Sequence, residues 1–193
     1  DALNKWKANN FQGILALATG AGKTITSIHA AVKLSESGKL ALIIGVPYQV
    51  LADQWVDVLS TFNIKPVKCY MSENIWINQL RSEISSFNLS PKKKFIAAVV
   101  VNATLSKQSF QNEIAKISNQ NRIMFIGDEC HNYSNESWYK KLPNAGLRVG
   151  LSATPWSVNN LIAKENLKNY FGDIVARYTI DDALSEGILT QYK

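Results

Sequence analysis

The sequence predicts a doubly wound α/β domain, a mostly parallel sheet with helices on both faces. Three observations carry that prediction. Five short apolar runs, Ile14–Ala18, Leu40–Val46, Phe95–Val101, Ile123–Ile126 and Leu147–Leu151, are mostly continuous rather than alternating, as strands covered on both faces must be. Helical patterns separate these runs, and regular alternation of strand and helix is the signature of parallel crossover units. Each run also ends in a polar signature, and in parallel α/β sheets ligands bind outside the carboxyl ends of the strands.

Taken in order, the first run enters Thr19-Gly20-Ala21-Gly22-Lys23-Thr24, and the apolar-periodic stretch Ile25 to Leu34 comes next, giving strand, glycine loop and a helix over Thr24–Ser37. Pro47 closes the second run, and Tyr48–Phe62 reads as a helix. Pro66–Tyr70 is a weaker sixth strand, followed by a helix over Ile75–Phe87. Pro91-Lys92-Lys93-Lys94, the densest basic run, reads as a solvated turn. The third run ends at Asn102-Ala103-Thr104 and leads to a helix over Ser106–Ile117. The fourth ends at Asp128-Glu129-Cys130-His131 and leads to a short helix over Ser137–Leu142. The fifth ends at Ser152-Ala153-Thr154-Pro155. Beyond Trp156 the strand series is expected to stop. Leu161–Phe171 reads as a helix broken by Gly172, and Asp181–Glu186 as a shorter one ending at Gly187. Residues 1–156 are therefore expected to form the domain, and 157–193 a helical exit from it.

A chain of 193 residues has room for one well-buried domain. No run of about 18 apolar residues exists, so no membrane span is expected. Asp1-Ala2-Leu3-Asn4-Lys5-Trp6 is no signal peptide, and the missing initiator Met suggests a fragment or processed product. Two cysteines, Cys69 and Cys130, make no disulfide framework, so a reduced, intracellular (cytoplasmic) setting is expected. The net charge of +6 favours a polyanionic partner only mildly.

The glycine loop is a phosphate cradle. Glycines let backbone N–H groups close around phosphate oxygens while the helix turns its positive end toward them. Lys23 can reach the β- and γ-phosphates of a nucleotide, and the Thr24 hydroxyl can ligate Mg²⁺. Leu17 stands where the full pattern wants its first glycine, so the loop is a variant P-loop. An acidic pair after a strand is by itself a solvated turn. About a hundred residues after a P-loop, Asp128-Glu129 becomes its expected companion. Asp128 would hold the hydrated Mg²⁺ opposite Thr24, and Glu129 would orient and deprotonate the attacking water. Cys130 reads as a small semi-buried residue, and no second Cys or His pair lies at zinc-ligand spacing. Trp55, Trp76, Trp138 and Trp156 invite a base-stacking role, although core packing is the simpler reading of each.

Together these motifs resemble superfamily 2 helicases and translocases, of the DEAD/DEAH-like kind. Ala18-Thr-Gly-Ala-Gly-Lys-Thr24 is similar to their motif I, which commonly lacks the first glycine. Val46-Pro47-Tyr48-Gln49-Val50-Leu51 through Gln54-Trp55 resembles motif Ia. Asn102-Ala103-Thr104 resembles the region that holds the strand further along. Asp128-Glu129-Cys130-His131 resembles the D-E-x-H box, and Leu151-Ser152-Ala153-Thr154-Pro155 motif III. Gln54-Trp55, the box cysteine and Gly150–Pro155 are most similar to the branch of restriction-enzyme motor subunits and excision-repair helicases.

That resemblance implies a RecA-like P-loop NTPase fold and an ATP-dependent DNA helicase or translocase, with ATP and Mg²⁺ as cofactors. It implies nucleic-acid contacts at Pro47, Tyr48, Gln54 and Thr104, and γ-phosphate sensing by His131, Ser152 and Thr154. It also implies a second RecA-like domain supplying arginine fingers, for which fewer than about forty residues after Pro155 leave no room, and an adenine-reading glutamine ahead of Asp1. Gln12 lies too close to the P-loop for that task. The alternatives are a motor that feeds a nuclease in a type I or III restriction system, a non-motor P-loop ATPase or kinase, and a nucleotide-binding module without turnover.

Overall fold

A computed structural model describes residues 2–18, 22–138, 140–157, 159–178 and 182. Seven strands form one sheet in the order β3-β4-β2-β5-β6-β1-β7, and every neighbouring pair is parallel. They are β1 (Gln12–Leu17), β2 (Leu40–Val46), β3 (Val67–Cys69), β4 (Phe95–Val101), β5 (Ile123–Asp128), β6 (Leu147–Ser152) and β7 (Ile174–Tyr178). The helices are α1 (Ala2–Ala8), α2 (Lys23–Glu36), α3 (Gln49–Thr61), α4 (Glu73–Leu89), α5 (Asn102–Leu105), α6 (Gln108–Ile114) and α7 (Leu161–Phe171).

Successive strand residues feed opposite faces, so the sheet divides the core in two. On β5, Ile123 and Phe125 join one cluster with Trp76, Phe110 and Phe171, while Met124 and Ile126 join the other with Ile28, Trp55 and Leu59. The helices bury matching stripes, Ala52, Trp55 and Leu59 on α3 and Trp76, Leu80, Ile84 and Phe87 on α4. Each large apolar side chain removed from water contributes about 1.5–3 kcal/mol.

Three glycines lie side by side across the central strands. Gly45 of β2 pairs with Gly127 of β5, which pairs with Gly150 of β6. A Cβ on Gly45 would sit 2.7 Å from the Tyr133 hydroxyl, one on Gly127 2.6 Å from Phe171, and one on Gly150 3.1 Å from Cys130 Sγ. The row is a trough, and the segment after β5 and the end of α7 lie in it. Phe125 receives the rings of Tyr133, Tyr170 and Phe171 at centroid distances of 6.1, 6.0 and 6.1 Å.

Four features depart from the sequence reading. The strand series does not stop near Trp156: β7 pairs with β1 at the sheet's edge, and α7 buries Leu167, Tyr170 and Phe171. Ile174–Tyr178 is only five residues long, with Val175 alone buried and the charged, exposed Arg177 within it, as an edge strand tolerates, so it does not read as a strand covered on both faces. The helix expected over Ser106–Ile117 is shorter, α6 alone, and a separate helical turn precedes it. Asn102-Ala103-Thr104 belongs to a single turn, α5, and the chain extends at Lys107, whose ammonium binds Glu73 at 2.7 Å. The helix expected over Ser137–Leu142 is one 3-10 turn, Glu136–Trp138, where Trp138 meets Tyr133 edge-on at 5.1 Å. At the N-terminus, α1 is an unforeseen helix, pinned to β6 by Trp6 Nε1 donating to the Arg148 carbonyl at 2.9 Å. Of the helix expected at Asp181–Glu186, only Asp182 lies within the described residues.

Candidate functional site

The ends of β5, β6 and β1 are consecutive in the sheet, and Ala18, the acidic pair Asp128-Glu129 and Ser152 stand there. Register aligns them, with Asp128 opposite Leu151 and Ala16 opposite Ser152. Strands β1 and β5 flank β6, so their ends stand about 10 Å apart, a gap a lysine side chain can bridge. Thr19, Gly20 and Ala21 lie outside the described residues. Gly22 precedes α2 with φ 77, a left-handed conformation that suits glycine, and open space surrounds the position a Cβ would take. Among the described residues no side chain caps the start of α2, where helix N–H groups can receive an anion.

Lys23 folds back over the end of β1, its Nζ donating to the Leu17 carbonyl at 2.5 Å and the Ala18 carbonyl at 3.1 Å. Burial draws its basicity below the ordinary lysine value, while the charges of Glu129 and Asp128 act in the opposite direction. Thr24 is half-buried in the first turn of α2.

Asp128 is held at both carboxylate oxygens. Oδ1 accepts from the Glu129 backbone N–H at 3.0 Å, and Oδ2 from Trp55 Nε1 at 2.7 Å. Glu129 takes a left-handed conformation, φ 46, rare for a residue with a Cβ. Asn132 Nδ2 donates to its carbonyl at 2.9 Å and helps hold that turn. Such strain is a recurrent feature of functional sites. His131 Nδ1 lies 3.2 Å from Ser152 Oγ and 3.3 Å from Glu129 Oε2, joining the ends of β5 and β6. Ser152, fully buried, also accepts from the Thr154 backbone N–H at 3.2 Å. Cys130 is fully buried, and burial, reinforced by the Glu129 and Asp128 charges, pushes its thiol well above the ordinary value. It is no nucleophile.

This donor set fits a nucleoside triphosphate with a hydrated divalent cation. Phosphate oxygens need cationic and N–H donors, which Lys23 and the start of α2 offer, and Mg²⁺ keeps most of its water, needing only one or two protein ligands such as Asp128 and Thr24. The remaining lone pairs of Asp128 stay open for that purpose.

The residues expected to contact nucleic acid divide by exposure. Tyr48 is 66% exposed, Gln54 is exposed and Pro47 half-buried, but Thr104 is only 6% exposed, so its turn offers Ala103 to solvent instead. Trp55 and Trp76 are buried, while Trp138 and Trp156 are half-buried against the core. Of the basic run, Lys93 pairs with Glu83 at 2.8 Å on the surface. Sequence reasoning missed the partners of the box: Trp55 on Asp128, Asn132 on Glu129, and Tyr133, whose hydroxyl donates to Asn102 Oδ1 at 2.7 Å. The neighbouring Gln54-Trp55 pattern was the one available signal for the first.

The chain is similar to several known proteins. A type I restriction enzyme EcoAI endonuclease subunit from Escherichia coli is 25% identical over 187 residues, covering 93% of this chain and 21% of that protein. The chain thus spans about a fifth of the length of this curated relative. Among solved structures, a nuclease-deletion mutant of the type ISP restriction-modification enzyme LlaGI, in complex with a DNA substrate mimic, superposes with a TM-score of 0.74 at 18% identity, over 97% of this chain and 20% of that one. The Hef helicase domain of Pyrococcus furiosus superposes with a TM-score of 0.66 at 17% identity, over 99% of this chain and 40% of that one. These likenesses show the fold, and the all-parallel sheet is that of RecA-like helicase domains, as the sequence led us to expect. The family model for the type III restriction enzyme res subunit matches residues 1–157, more than half of the chain, and the protein belongs to that family.

Proposed function

We propose that this chain is the first motor domain of an ATP-dependent DNA translocase, working within a restriction-type enzyme. The observation that carries the reading is the convergence of Lys23, Asp128, Glu129 and the His131–Ser152 link at adjacent strand ends. The family membership and the restriction-enzyme relative favour a motor coupled to a nuclease over a stand-alone helicase.

In this reading Lys23, Gly22 and the loop residues Thr19, Gly20 and Ala21 bind the phosphates. Thr24 and Asp128 hold the Mg²⁺ hydration shell, and bound Mg²⁺ supplies neutralisation of charge on the phosphate oxygens. Glu129 takes the proton of the attacking water. His131, poised between Glu129 and Ser152, passes the state of that carboxylate to β6 and Thr154. DNA runs along the exposed edge formed by Pro47, Tyr48 and Gln54. A second RecA-like domain supplies the arginine fingers and a nuclease lies elsewhere in the assembly. The free, buried Cys69 and Cys130 suit an intracellular setting. The His131–Ser152 link from the box to the next strand supports the motor reading over a non-motor ATPase.

The test is ATP hydrolysis by the whole protein with and without DNA. Lys23→Ala is expected to weaken nucleotide binding at least tenfold, and Glu129→Gln to cut DNA-stimulated turnover by about 10²–10⁴ while nucleotide still binds. Wild-type turnover indifferent to DNA would sink the motor reading.

A further inference from the structure

We propose that Trp55 is a positioning residue for the metal-side carboxylate, tying Asp128 to helix α3. This rests on the nucleotide reading above. Trp55 is 2% exposed and sits among apolar side chains that include Ile44, Ala52 and Leu59. A buried indole N–H requires an acceptor, and Asp128 Oδ2, 2.7 Å away, provides one. The bond is charge-assisted and therefore strong and directional. The other oxygen, Oδ1, is held by the Glu129 N–H of the following peptide, which moves with Asp128 itself. Among the described residues, the indole is the group that fixes the carboxylate plane against a separate element. With both oxygens engaged, the carboxylate is fixed in orientation, and its remaining lone pairs are the ones a hydrated cation would use.

The element that carries the donor matters as much as the donor. Helix α3 turns Ala52, Trp55 and Leu59 inward, whereas Tyr48, Val50 and Gln54 at its N-terminal end are exposed. A slide of α3 by about 1 Å would stretch the bond beyond hydrogen-bond range. Asp128 is thus oriented by a helix whose other side is open to a partner.

The alternative is that Trp55 only fills the core, and the two roles separate experimentally. Wild type, Trp55→Phe, Asp128→Asn and the double variant are titrated with a fluorescent ADP analogue across a range of Mg²⁺ concentrations and in EDTA, with thermal denaturation alongside. Trp55→Phe keeps an aromatic ring and loses the N–H. The Mg²⁺ concentration giving half-maximal nucleotide binding is expected to rise about tenfold, the scale for losing a partner of a metal-binding carboxylate. Affinity in EDTA is expected to stay within about twofold, and Trp55→Phe is expected to add no further shift to Asp128→Asn. An unchanged Mg²⁺ midpoint in Trp55→Phe, or an equal shift on the Asp128→Asn background, overturns the proposal. If Trp55→Phe does not fold, site-specific replacement of the indole by benzothiophene, which keeps the bicyclic shape without the N–H, gives the same two outcomes. A wild-type chain that binds no nucleotide in Mg²⁺ sinks the proposed function itself, and this inference with it.

Discussion

His131 Nδ1 lies 3.2 Å from the hydroxyl of Ser152, a buried residue at the end of the neighbouring strand. The same hydroxyl accepts the Thr154 N–H, so Ser152→Ala removes one partner from each side of the link. We expect nucleotide affinity within about threefold of wild type, a stability loss of about 1 kcal/mol, and at least a tenfold loss of DNA-stimulated hydrolysis. Comparing hydrolysis with and without DNA checks this. A proportional loss under both conditions would show that Ser152 acts on the chemistry rather than on its coupling.

Gly127→Ala places a methyl 2.6 Å from the Phe171 ring and 2.9 Å from that of Tyr133. Neither ring can retreat, because both pack on Phe125 and each other. The expected cost is about 1–3 kcal/mol. Denaturant midpoints report it, and the Tyr133–Asn102 bond is lost if Tyr133 is the ring that shifts.

Helix α7 and strand β7 are expected to be indispensable to the fold. Phe171→Ala should lose about 3–5 kcal/mol, as large aromatic truncations in cores do. A chain ended at Trp156 lacks the buried Leu167 and Tyr170, Phe171 over the glycine row, and the β7 partner of β1, and should show no cooperative unfolding transition. A sharp transition in that shortened chain would support a domain boundary at residue 156.

Stability should fall at alkaline pH. Burial raises the proton affinity of Cys69, Cys130, Tyr133 and Tyr170 above their ordinary values, 9.0 for a thiol and 10.0 for a phenol. Above those values the unfolded chain releases protons that the folded one keeps, so the stability they contribute is present below pH 9 and is lost as the pH climbs. Lys23 opposes this: burial lowers its value from 10.5, so the cost of its charge is relieved as the pH nears that figure. Tyr70, raised by burial and then by its hydrogen bond to Asp53, adds a fifth group against the one, and each fully engaged group changes stability by up to about 1.4 kcal/mol per pH unit. Calorimetric Tm should therefore drop above pH 9, and Tyr170→Phe should flatten the decline. Toward acid, the Arg81 hydrogen bond, followed by Lys116, holds Glu113 below the ordinary carboxylate value, so its contribution is lost as pH falls through that lowered value. Glu113→Gln should remove that limb.

The amino-acid sequence alone determined the central strands and the polar signature that ends each of them. A strand covered on both faces has to be apolar throughout, which is why Leu40–Val46 and Phe95–Val101 are legible to the residue. The phosphate loop and the Asp128-Glu129 pair are local, and the chemistry they need is carried by neighbouring residues in the chain. An edge strand such as Ile174–Tyr178 is under no such demand, and its Arg177 is exposed, so it stayed hidden. The partners of the site depended on strand order. Trp55 reaches Asp128 across 73 positions because β2, which leads into α3, lies beside β5. His131 meets Ser152 because β6 lies on the other side of β5. Tyr133 reaches Asn102, at the end of β4, because Gly45 of the intervening strand has no side chain to block it. Which strands become neighbours is settled by how the helices pack on both faces of the sheet, a long-range outcome that no local pattern of residues encodes.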